Sequence, residues 1–175
     1  MNNITCRQNF SKECEDAIND QINLELHASN IYLSLSSFFK HPDNYLENTY
    51  KFFEHNSDEE RSHAKMFIDY VNKRGGTTCI KKIDEPDVDI SNLNLLNAFE
   101  FSLDLEKKVN NNLLKLHQLA SNMNDPQLTD FIEGTFLKEQ VESQYELHTI
   151  VTNIRRCVSN YGSLGEFIFD KNFIY

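Results

Sequence analysis

The stretch HNSDEERSHAK, residues 55–65, places a carboxylate and an imidazole where a helix would normally bury apolar side chains. Apolar residues flank the stretch at helical spacing, with Phe53 before it and Phe67 after it. The positions between them on the same face include Glu60 and His63. A Glu-x-x-His pair is the i, i+3 spacing with which helices of metal-binding bundles present two ligands to one site. Carboxylate and imidazole together suit iron, so the stretch predicts a metal-binding band inside a helix bundle.

Three other helical segments carry polar residues on their apolar faces. These residues are Glu25 and Tyr32 in the first segment, Glu106 in the third and Gln140 in the fourth. The midpoints of the four predicted segments fall near residues 25, 60, 106 and 141. Because the midpoint of a helix stays at the middle of a bundle whichever way the helix runs, we expect Glu25, Glu60, Glu106 and Gln140 to meet in one layer.

Three carboxylates facing one another in an apolar interior are unfavourable unless something compensates their charge. Protonation is one solution, and pairing with Lys or Arg is another. No basic residue falls on these apolar faces near that level. Bound metal cations are the remaining solution, and the residue types favour iron.

Helical periodicity accounts for most of the chain, and no segment requires a strand. The prolines and the Gly75-Gly76 pair lie between periodic segments, as expected for long, uninterrupted helices. The expected buried stripe of the first helix includes Ala17, Leu24, Ala28, Ile31, Leu35 and Phe38. The predicted helices span about 11–38, 46–73, 92–121 and 125–157, followed by a short fifth helix at about 163–173.

Loop lengths predict how these helices are connected. The first and second helices, and the third and fourth, are joined by a few residues and should form antiparallel hairpins. The segment 74–91 is far longer than a hairpin needs. Extended, it reaches ~60 Å, whereas a helix of this size is ~42 Å long. It can therefore cross the whole bundle and leave the second and third helices parallel. The predicted fold class is an all-α four-helix bundle with one long crossover loop, as a single domain over residues 1–175.

Composition excludes several classes of partner. Lys+Arg number 17 and Asp+Glu 27, which gives 17 − 27 = −10, so nucleic acids and anionic membranes are poor partners and cations are better ones. No apolar run approaches the ~20 residues of a membrane span. The N-terminal residues show no secretory signal pattern. Cys6, Cys14, Cys79 and Cys157 match no CxxC pattern and predict reduced thiols in a cytoplasmic protein.

Several runs in the chain resemble the heavy-chain, ferroxidase-active type of ferritin. They are NLELHASNIYLSL, HNSDEERSHAKMF, RGG, LEKKVN, NDPQLTDFIE and KEQV, in this order, with LGEFIFDKN near the end. The resemblance covers nearly the whole chain. It implies a ferritin-like bundle that assembles into a hollow 24-subunit shell, either of one subunit type or mixed with other ferritin subunits. It also implies that the protein oxidises Fe(II) with O₂ and stores ferric mineral inside the shell.

The resemblance assigns roles to individual residues at a centre for two iron ions per subunit. One iron would be held by Glu25, Glu60 and His63. The second would share Glu60 and use Glu106, with Gln140 close by. Tyr32 would hydrogen-bond the site, and Glu59 would stand at its inner side.

The resemblance also implies a channel that admits Fe(II) at the three-fold axes of the shell. Asp130 and Glu133 would line it, with His117 nearby. Acidic residues near the start of a helix also stabilise the helix dipole, which is the alternative explanation for the first two.

The chain departs from the heavy-chain pattern at three positions. Ser62 and Lys65 replace glutamates on the cavity face of the second helix, which predicts inefficient capture of ferric iron. Asn172 replaces a histidine common in the fifth helix, four copies of which the resemblance places around a four-fold axis of the shell.

Two rival functions follow from the same residues. One is a catalytically inactive storage or structural subunit, against which the full ligand set argues. The other is a diiron peroxidase of the rubrerythrin kind. That class should show a second Glu-x-x-His motif and usually a CxxC module, whereas Leu137 stands where the second motif would place its carboxylate and no CxxC occurs.

Overall fold

The computed structural model describes residues 6–174, and within that range the chain forms helices and loops without a strand. The helices are α1 (Lys12–Lys40), α2 (Glu47–Lys73), α3 (Leu95–Asn122), α4 (Pro126–Ile132), α5 (Lys138–Tyr161) and α6 (Ser163–Asn172). Short 3₁₀ turns at Pro42–Asn44 and Ile90–Asn92 precede α2 and α3, and a π turn at Glu133–Leu137 joins α4 to α5. The all-α prediction with a short C-terminal helix is confirmed. The domain predicted over 1–175 and the N-terminal signal analysis both include residues 1–5, which lie outside the described range, as does residue 175.

Side-chain caps explain where three of the long helical segments begin. The hydroxyl of Ser11 accepts a hydrogen bond from the backbone N–H of Cys14, as expected of an N-cap. Asn94 and Asn97 form a reciprocal capping box at α3. This cap lies beyond the preceding 3₁₀ turn, so α3 starts later than the predicted residue 92. Asp125 caps α4 directly before Pro126.

The fourth predicted helix, 125–157, is divided in the structure by the π turn, and α5 continues to Tyr161. Buried residues before and after the turn follow one another at intervals of four: Leu128, Ile132, Phe136 and Gln140. In a regular α-helix, steps of four residues drift by about 40° each. Because a π turn advances less per residue, it keeps these side chains on one face. A Cβ at Gly134 would meet no atom within 4 Å, so no steric contact requires glycine there.

Contacts between helices establish their directions. In each neighbouring pair, later residues of one helix meet earlier residues of the other: Ser29–Ser57 and Ser36–Tyr50 between α1 and α2, Tyr70–Phe131 and Phe67–Phe136 between α2 and α4–α5, and Glu100–Arg155 and Glu106–Gln140 between α3 and α5. Both α2 and α3 are therefore antiparallel to α5, and parallel to each other as predicted.

Two asparagines of α1 hold the long crossover in extended form. Asn19 accepts from the backbone N–H of Cys79 (2.7 Å) and donates to the carbonyl of Thr77 (3.0 Å). Asn23 repeats the pattern, accepting from Lys81 N–H (2.8 Å) and donating to the Cys79 carbonyl (3.2 Å). Four residues of α1 rise about 6 Å, and two extended residues of the loop rise about 6.6 Å. The loop therefore stays in register with α1. The loop thus runs along α1 to the end of the bundle where α3 begins.

The buried face of α1 differs from the predicted stripe by about one residue. Ala17, Leu24 and Phe38 are only half-buried, while Ile18, Ile22 and Phe39 are fully buried with Ala28, Ile31 and Leu35. Adjacent apolar residues such as Ala17 and Ile18 offer two nearly equivalent faces, and packing against α2 selects between them.

Helix α6 docks on the first turn of α2. Leu46, the N-cap of α2, provides no side-chain hydrogen bond. Instead Asp170 Oδ1 accepts from both the backbone N–H and the hydroxyl of Thr49, each at 2.9 Å. Gly165 allows α6 to pass close to α5, since a Cβ there would lie 2.4 Å from the carbonyl oxygen of Cys157. No helix within residues 6–174 combines the length and hydropathy that a membrane crossing demands.

Candidate metal centre

The structure brings the predicted polar layer together in the middle of the bundle. Each long helical segment contributes at least one member, and all are buried: Glu25 and Tyr32 from α1, Glu60 and His63 from α2, Glu106 from α3 and Gln140 from α5. The four residues that the helix midpoints placed in one layer, Glu25, Glu60, Glu106 and Gln140, are thus buried together, with Tyr32 and His63 beside them.

Glu25, Glu60 and His63 form the tightest part of the layer. Each offers one ligand atom, and the three atoms lie within 4.8 Å of one another. Glu25 Oε1 accepts a hydrogen bond of 2.7 Å from the amide of Gln21. Its other oxygen, Oε2, is buried and has no hydrogen-bond partner. A buried carboxylate oxygen without a donor is unfavourable, and a cation placed between these three groups would satisfy it.

Glu106 is held separately at the edge of this cluster. The hydroxyl of Tyr32 donates to its Oε1, and the Gln140 amide donates to its Oε2 at 2.8 Å. Gln144 in turn donates to the Gln140 side-chain oxygen at 3.4 Å. These hydrogen bonds fix the orientation of the Glu106 carboxylate and leave lone pairs on both oxygens for a metal ion.

Burial dominates the electrostatics of the layer. It raises the pKa of Glu25 well above the usual range, and the neighbouring charge of Glu60 raises it further. Burial also raises the pKa of Glu60 and of Glu106, although the hydrogen bond from Tyr32 partly opposes the shift at Glu106. The pKa of Tyr32 is raised well above its usual value by burial and by the Glu106 carboxylate. Without a bound cation, this layer therefore favours protonated carboxyl groups.

Both ring nitrogens of His63 face carboxylates. Nδ1 lies 3.4 Å from Glu60 Oε2, and Nε2 lies 2.9 Å from Glu139 Oε1. Burial alone lowers the pKa of His63, but the hydrogen bonds to Glu139 and Glu60 outweigh burial and raise the pKa to about 11.

Glu139 was not among the residues expected from the sequence. Its neighbour Gln140 occupies the buried face, and consecutive helical residues point about 100° apart, so periodicity gave no reason to place Glu139 at the centre. In the structure it forms a second cluster with His63 and the half-buried Glu59. Glu59 thus lies beside the centre, as the resemblance implied.

A pair of serines sets the spacing between α1 and α2 near the centre. The Ser29 hydroxyl donates to the Ser57 carbonyl (2.7 Å), and the Ser57 hydroxyl donates to the Ser29 carbonyl (2.8 Å). Their small side chains let the two helices approach closely about one turn away from Glu25 and Glu60. The carboxylates are thereby brought close enough to share an ion.

The residues expected to line a three-fold channel lie near the C-terminal end of α3, on α4 and in the π turn. Asp130 and Glu133 are exposed, and His117 is half-buried. The imidazole Nε2 of His117 pairs with the Glu133 carboxylate. The structure thus brings two of the three residues into contact, with Asp130 about one turn before Glu133.

The positions that depart from the heavy-chain pattern are on the surface of the subunit. Ser62 and Lys65 are exposed on α2. Asn172 is exposed and donates to the Ile168 carbonyl of its own helix at 2.7 Å. Leu137 is half-buried at the end of the π turn, where it supplies no metal ligand. The four cysteines are all free thiols.

A family model described as the ferritin-like domain matches residues 15–157. The match begins in the first turn of α1, includes every residue of the polar layer and ends in α5. Proteins of this family bind iron and form oligomeric shells. Since the match covers most of the chain, the protein belongs to the ferritin family.

Proposed function

We propose that this chain is a ferroxidase subunit of an iron-storage shell, which oxidises Fe(II) with O₂ and retains the ferric product as mineral. The observation that carries the proposal is the buried cluster of Glu25, Glu60 and His63 with its unpartnered carboxylate oxygen. Among residues 6–174, no Lys or Arg is buried, so His63 is the one basic side chain against the three buried carboxyl groups of the layer. Cations are the natural occupants of such a site, and its oxygen and imidazole donors suit iron.

Iron is the substrate at this centre, and its ligands are proposed from the resemblance to heavy-chain ferritins, which the Glu25, Glu60 and His63 cluster supports. Glu25, Glu60 and His63 hold the first Fe(II). The second shares Glu60 and binds Glu106, whose orientation is maintained by Tyr32 and by the nearby Gln140. Glu59 stands on the inner side, next to His63.

The proposed reaction balances with two ions per centre. Each Fe(II) gives up one electron, and the two electrons with two protons reduce O₂ to the level of hydrogen peroxide. Oxygen ligands stabilise Fe(III) relative to Fe(II), which favours the oxidation. Iron binding favours the ionised carboxylates and therefore opposes the raised pKa values of Glu25, Glu60 and Glu106, so it should be coupled to proton release.

The second ion is held more weakly than the first in this proposal. Gln140 is neutral, and Leu137 provides no carboxylate on the same segment. A weakly held ion suits an enzyme that must release its ferric product into a cavity. It suits a permanent redox cofactor less well, which disfavours the rubrerythrin-like alternative.

The proposal extends to the assembly through the resemblance to heavy-chain ferritins. We place 24 subunits in the shell, which works in the cytoplasm and admits Fe(II) through channels lined by Asp130, Glu133 and His117. The contact between His117 and Glu133 supports a shared role for these two residues. A ring of such carboxylates would raise the local concentration of cations.

Replacing single ligands tests the proposed centre. We expect Glu25→Ala and His63→Ala each to reduce the initial rate of aerobic Fe(II) oxidation by about ten-fold or more, as for losses at metal sites generally. Glu25→Ala removes a carboxyl group, whereas His63→Ala also removes the edge-on contact of the imidazole with Phe136, so circular dichroism and particle mass must establish that each variant is folded and assembled. Stopped-flow absorbance and oxygen uptake measure the rate.

Asp58→Ala is the matched control, because Asp58 is an exposed carboxylate on the same helix. It should oxidise iron at the wild-type rate. Wild-type rates in both ligand variants would reject the diiron assignment. A wild-type protein without oxygen uptake would instead indicate the inactive storage subunit.

A further inference from the structure

Glu139 belongs to none of the ligand sets assigned above, yet it makes the shortest contact to His63. Its Oε1 lies 2.9 Å from Nε2 of the imidazole, which is hydrogen-bonding distance. The other ring nitrogen, Nδ1, faces Glu60 at 3.4 Å on the side of the three-residue cluster. His63 is thus contacted from both sides, by the metal centre at Nδ1 and by Glu139 at Nε2.

The two nitrogens of a neutral imidazole have different roles. One carries the proton and donates, and only the other has a lone pair for a metal ion. A carboxylate that accepts from Nε2–H keeps the proton on that nitrogen and leaves Nδ1 free for the ion. Carboxylates in this position orient ligating histidines and increase their basicity in many metal sites.

The fold provides this contact through the π turn. The turn ends at Leu137, two residues before Glu139 and three before Gln140. Since consecutive helical residues point about 100° apart, Gln140 reaches Glu106 while Glu139 reaches His63. The Glu139 side chain keeps 35% of its surface exposed, so it can carry its charge while remaining partly hydrated.

We propose that Glu139 is a positioning residue that fixes the tautomer and ring orientation of His63, so that Nδ1 is presented to the metal. The inference rests on the proposed diiron function and adds a residue outside its ligand set. The competing role for the same carboxylate is set by a second cluster, because ligand atoms of Glu59, His63 and Glu139 also lie within 4.8 Å of one another. In that role Glu139 would bind a metal ion directly.

The two roles require different chemistry of residue 139. Positioning requires a hydrogen-bond acceptor, which an amide oxygen supplies as well as a carboxylate. Direct binding requires the negative charge, which an amide lacks. Glu139→Gln and Glu139→Ala therefore separate them.

The experiment measures Co(II) binding to the metal-free, assembled protein by visible absorption, with aerobic Fe(II) oxidation as a second readout. We expect Glu139→Ala to weaken Co(II) binding by about 10–100-fold and to change the ligand-field bands, because the imidazole is no longer oriented. Glu139→Gln should restore the wild-type spectrum and most of the affinity. Circular dichroism and particle mass establish that each variant is folded and assembled.

Glu142→Ala is the matched control, since Glu142 is an exposed glutamate one turn further along α5. It should bind Co(II) like the wild type. Equal losses in Glu139→Gln and Glu139→Ala would overturn the positioning role in favour of direct binding, and no loss in either would overturn it altogether. If His63→Ala bound Co(II) as well as the wild type, the proposed centre itself would be rejected, a result distinct from failure at Glu139.

Discussion

The proposed role of Glu25 as a metal ligand comes with a cost in stability. Its carboxyl group is buried, one of its oxygens has no partner, and its pKa is raised by burial and by Glu60. A carboxyl group whose pKa is higher in the folded than in the unfolded state binds its proton more tightly when folded. The metal-free fold therefore loses stability as the pH rises from the ordinary carboxyl range towards the raised pKa.

Replacing this carboxyl group should stabilise the metal-free protein. Glu25→Gln retains an acceptor for Gln21 and cannot ionise, so we expect it to unfold at a higher temperature than the wild type. The gain should be small near pH 5 and reach about 1–3 kcal/mol at pH 8. In a chain of this size, 1 kcal/mol corresponds to about 2–4 °C in Tm. Differential scanning calorimetry of chelator-treated protein at both pH values measures the difference.

Adding Co(II) should reverse the order, because the wild type gains binding energy that the variant lacks. Glu13→Gln serves as the control, since Glu13 is exposed on the same helix. A Glu25→Gln variant less stable than the wild type at pH 8 without metal would show that the buried charge is not a cost.

Sequence periodicity located the site residues that lie on the buried faces of the helices and missed Glu139, which lies between two faces. Glu25, Glu60, Glu106 and Gln140 were located because each interrupts an apolar stripe at the midpoint of a helix. Glu139 interrupts no stripe. Its contact with His63 depends on side-chain reach and on the local phase of the helix, which periodicity alone does not provide.

Among the elements, a cap did not by itself make a helix start predictable. The predicted starts near 11 and 125 agree with α1 and α4, where Ser11 and Asp125 act as caps, whereas α3 begins after the predicted residue 92 at an Asn94 capping box that the prediction did not use. The π turn was not predictable from spacing, because Leu128, Ile132 and Phe136 also fit a regular helix. Only the angular drift that repeated four-residue steps accumulate around a regular α-helix distinguishes it from a helix with a π turn.

Helix α6 should depend on Asp170 for its attachment to the bundle. The carboxylate caps the first turn of α2, which has no cap of its own, and the backbone carbonyl of Asp170 accepts a further hydrogen bond of 2.8 Å from the Asn48 amide. We expect Asp170→Ala to lower the free energy of unfolding by about 1–2 kcal/mol, the usual cost of losing an N-cap. Hydrogen exchange should increase in α6 and in the first turn of α2 before the rest of α2.

Asp69→Ala controls for the loss of a negative charge, because Asp69 is exposed on α2. It should change neither stability nor exchange. Unchanged exchange in α6 of the Asp170 variant would mean that the remaining contacts hold the helix, namely those of Phe169 and Phe173 with Phe99 and the hydrogen bond from Asn48 to the backbone carbonyl of residue 170.

For the whole molecule, the length of residues 74–91 was enough to predict that α2 and α3 are parallel, because a segment of this length can cross from one end of the bundle to the other. The asparagine pair that holds this crossover against α1 was not predicted. Asn19 and Asn23 look like ordinary polar helix positions in the sequence. Their role appears only in the structure, where the crossover loop lies beside α1. The order and direction of the helices thus followed from the length of the loop. The attachment of the loop to α1 depends on tertiary contacts that the sequence pattern does not show.

The surface of α2 beyond the centre bears on how the product is kept. Residues 59, 62 and 65 are neighbours at i, i+3 spacing, but only Glu59 carries a carboxylate, and it already lies beside His63 and Glu139. Ser62 and Lys65 are exposed. A ferric cluster needs several anionic oxygens to retain its first ions, whereas serine is neutral and lysine repels cations. We therefore infer that iron is oxidised faster than it is captured in a mineral core.

Combining Ser62→Glu with Lys65→Glu should couple the oxidation of iron to its capture in the mineral core. We expect initial Fe(II) oxidation to be unchanged and core growth to be several-fold faster, because a row of three carboxylates concentrates cations at one place. Early absorbance measures oxidation, and iron content per particle over longer times measures the core. Lys108→Glu with Asn111→Glu is the matched control, since it places the same charge change at the same spacing on exposed positions of α3. Equal core growth in both double variants would show that local carboxylate density on α2 does not limit mineralisation, and that net charge or another surface does.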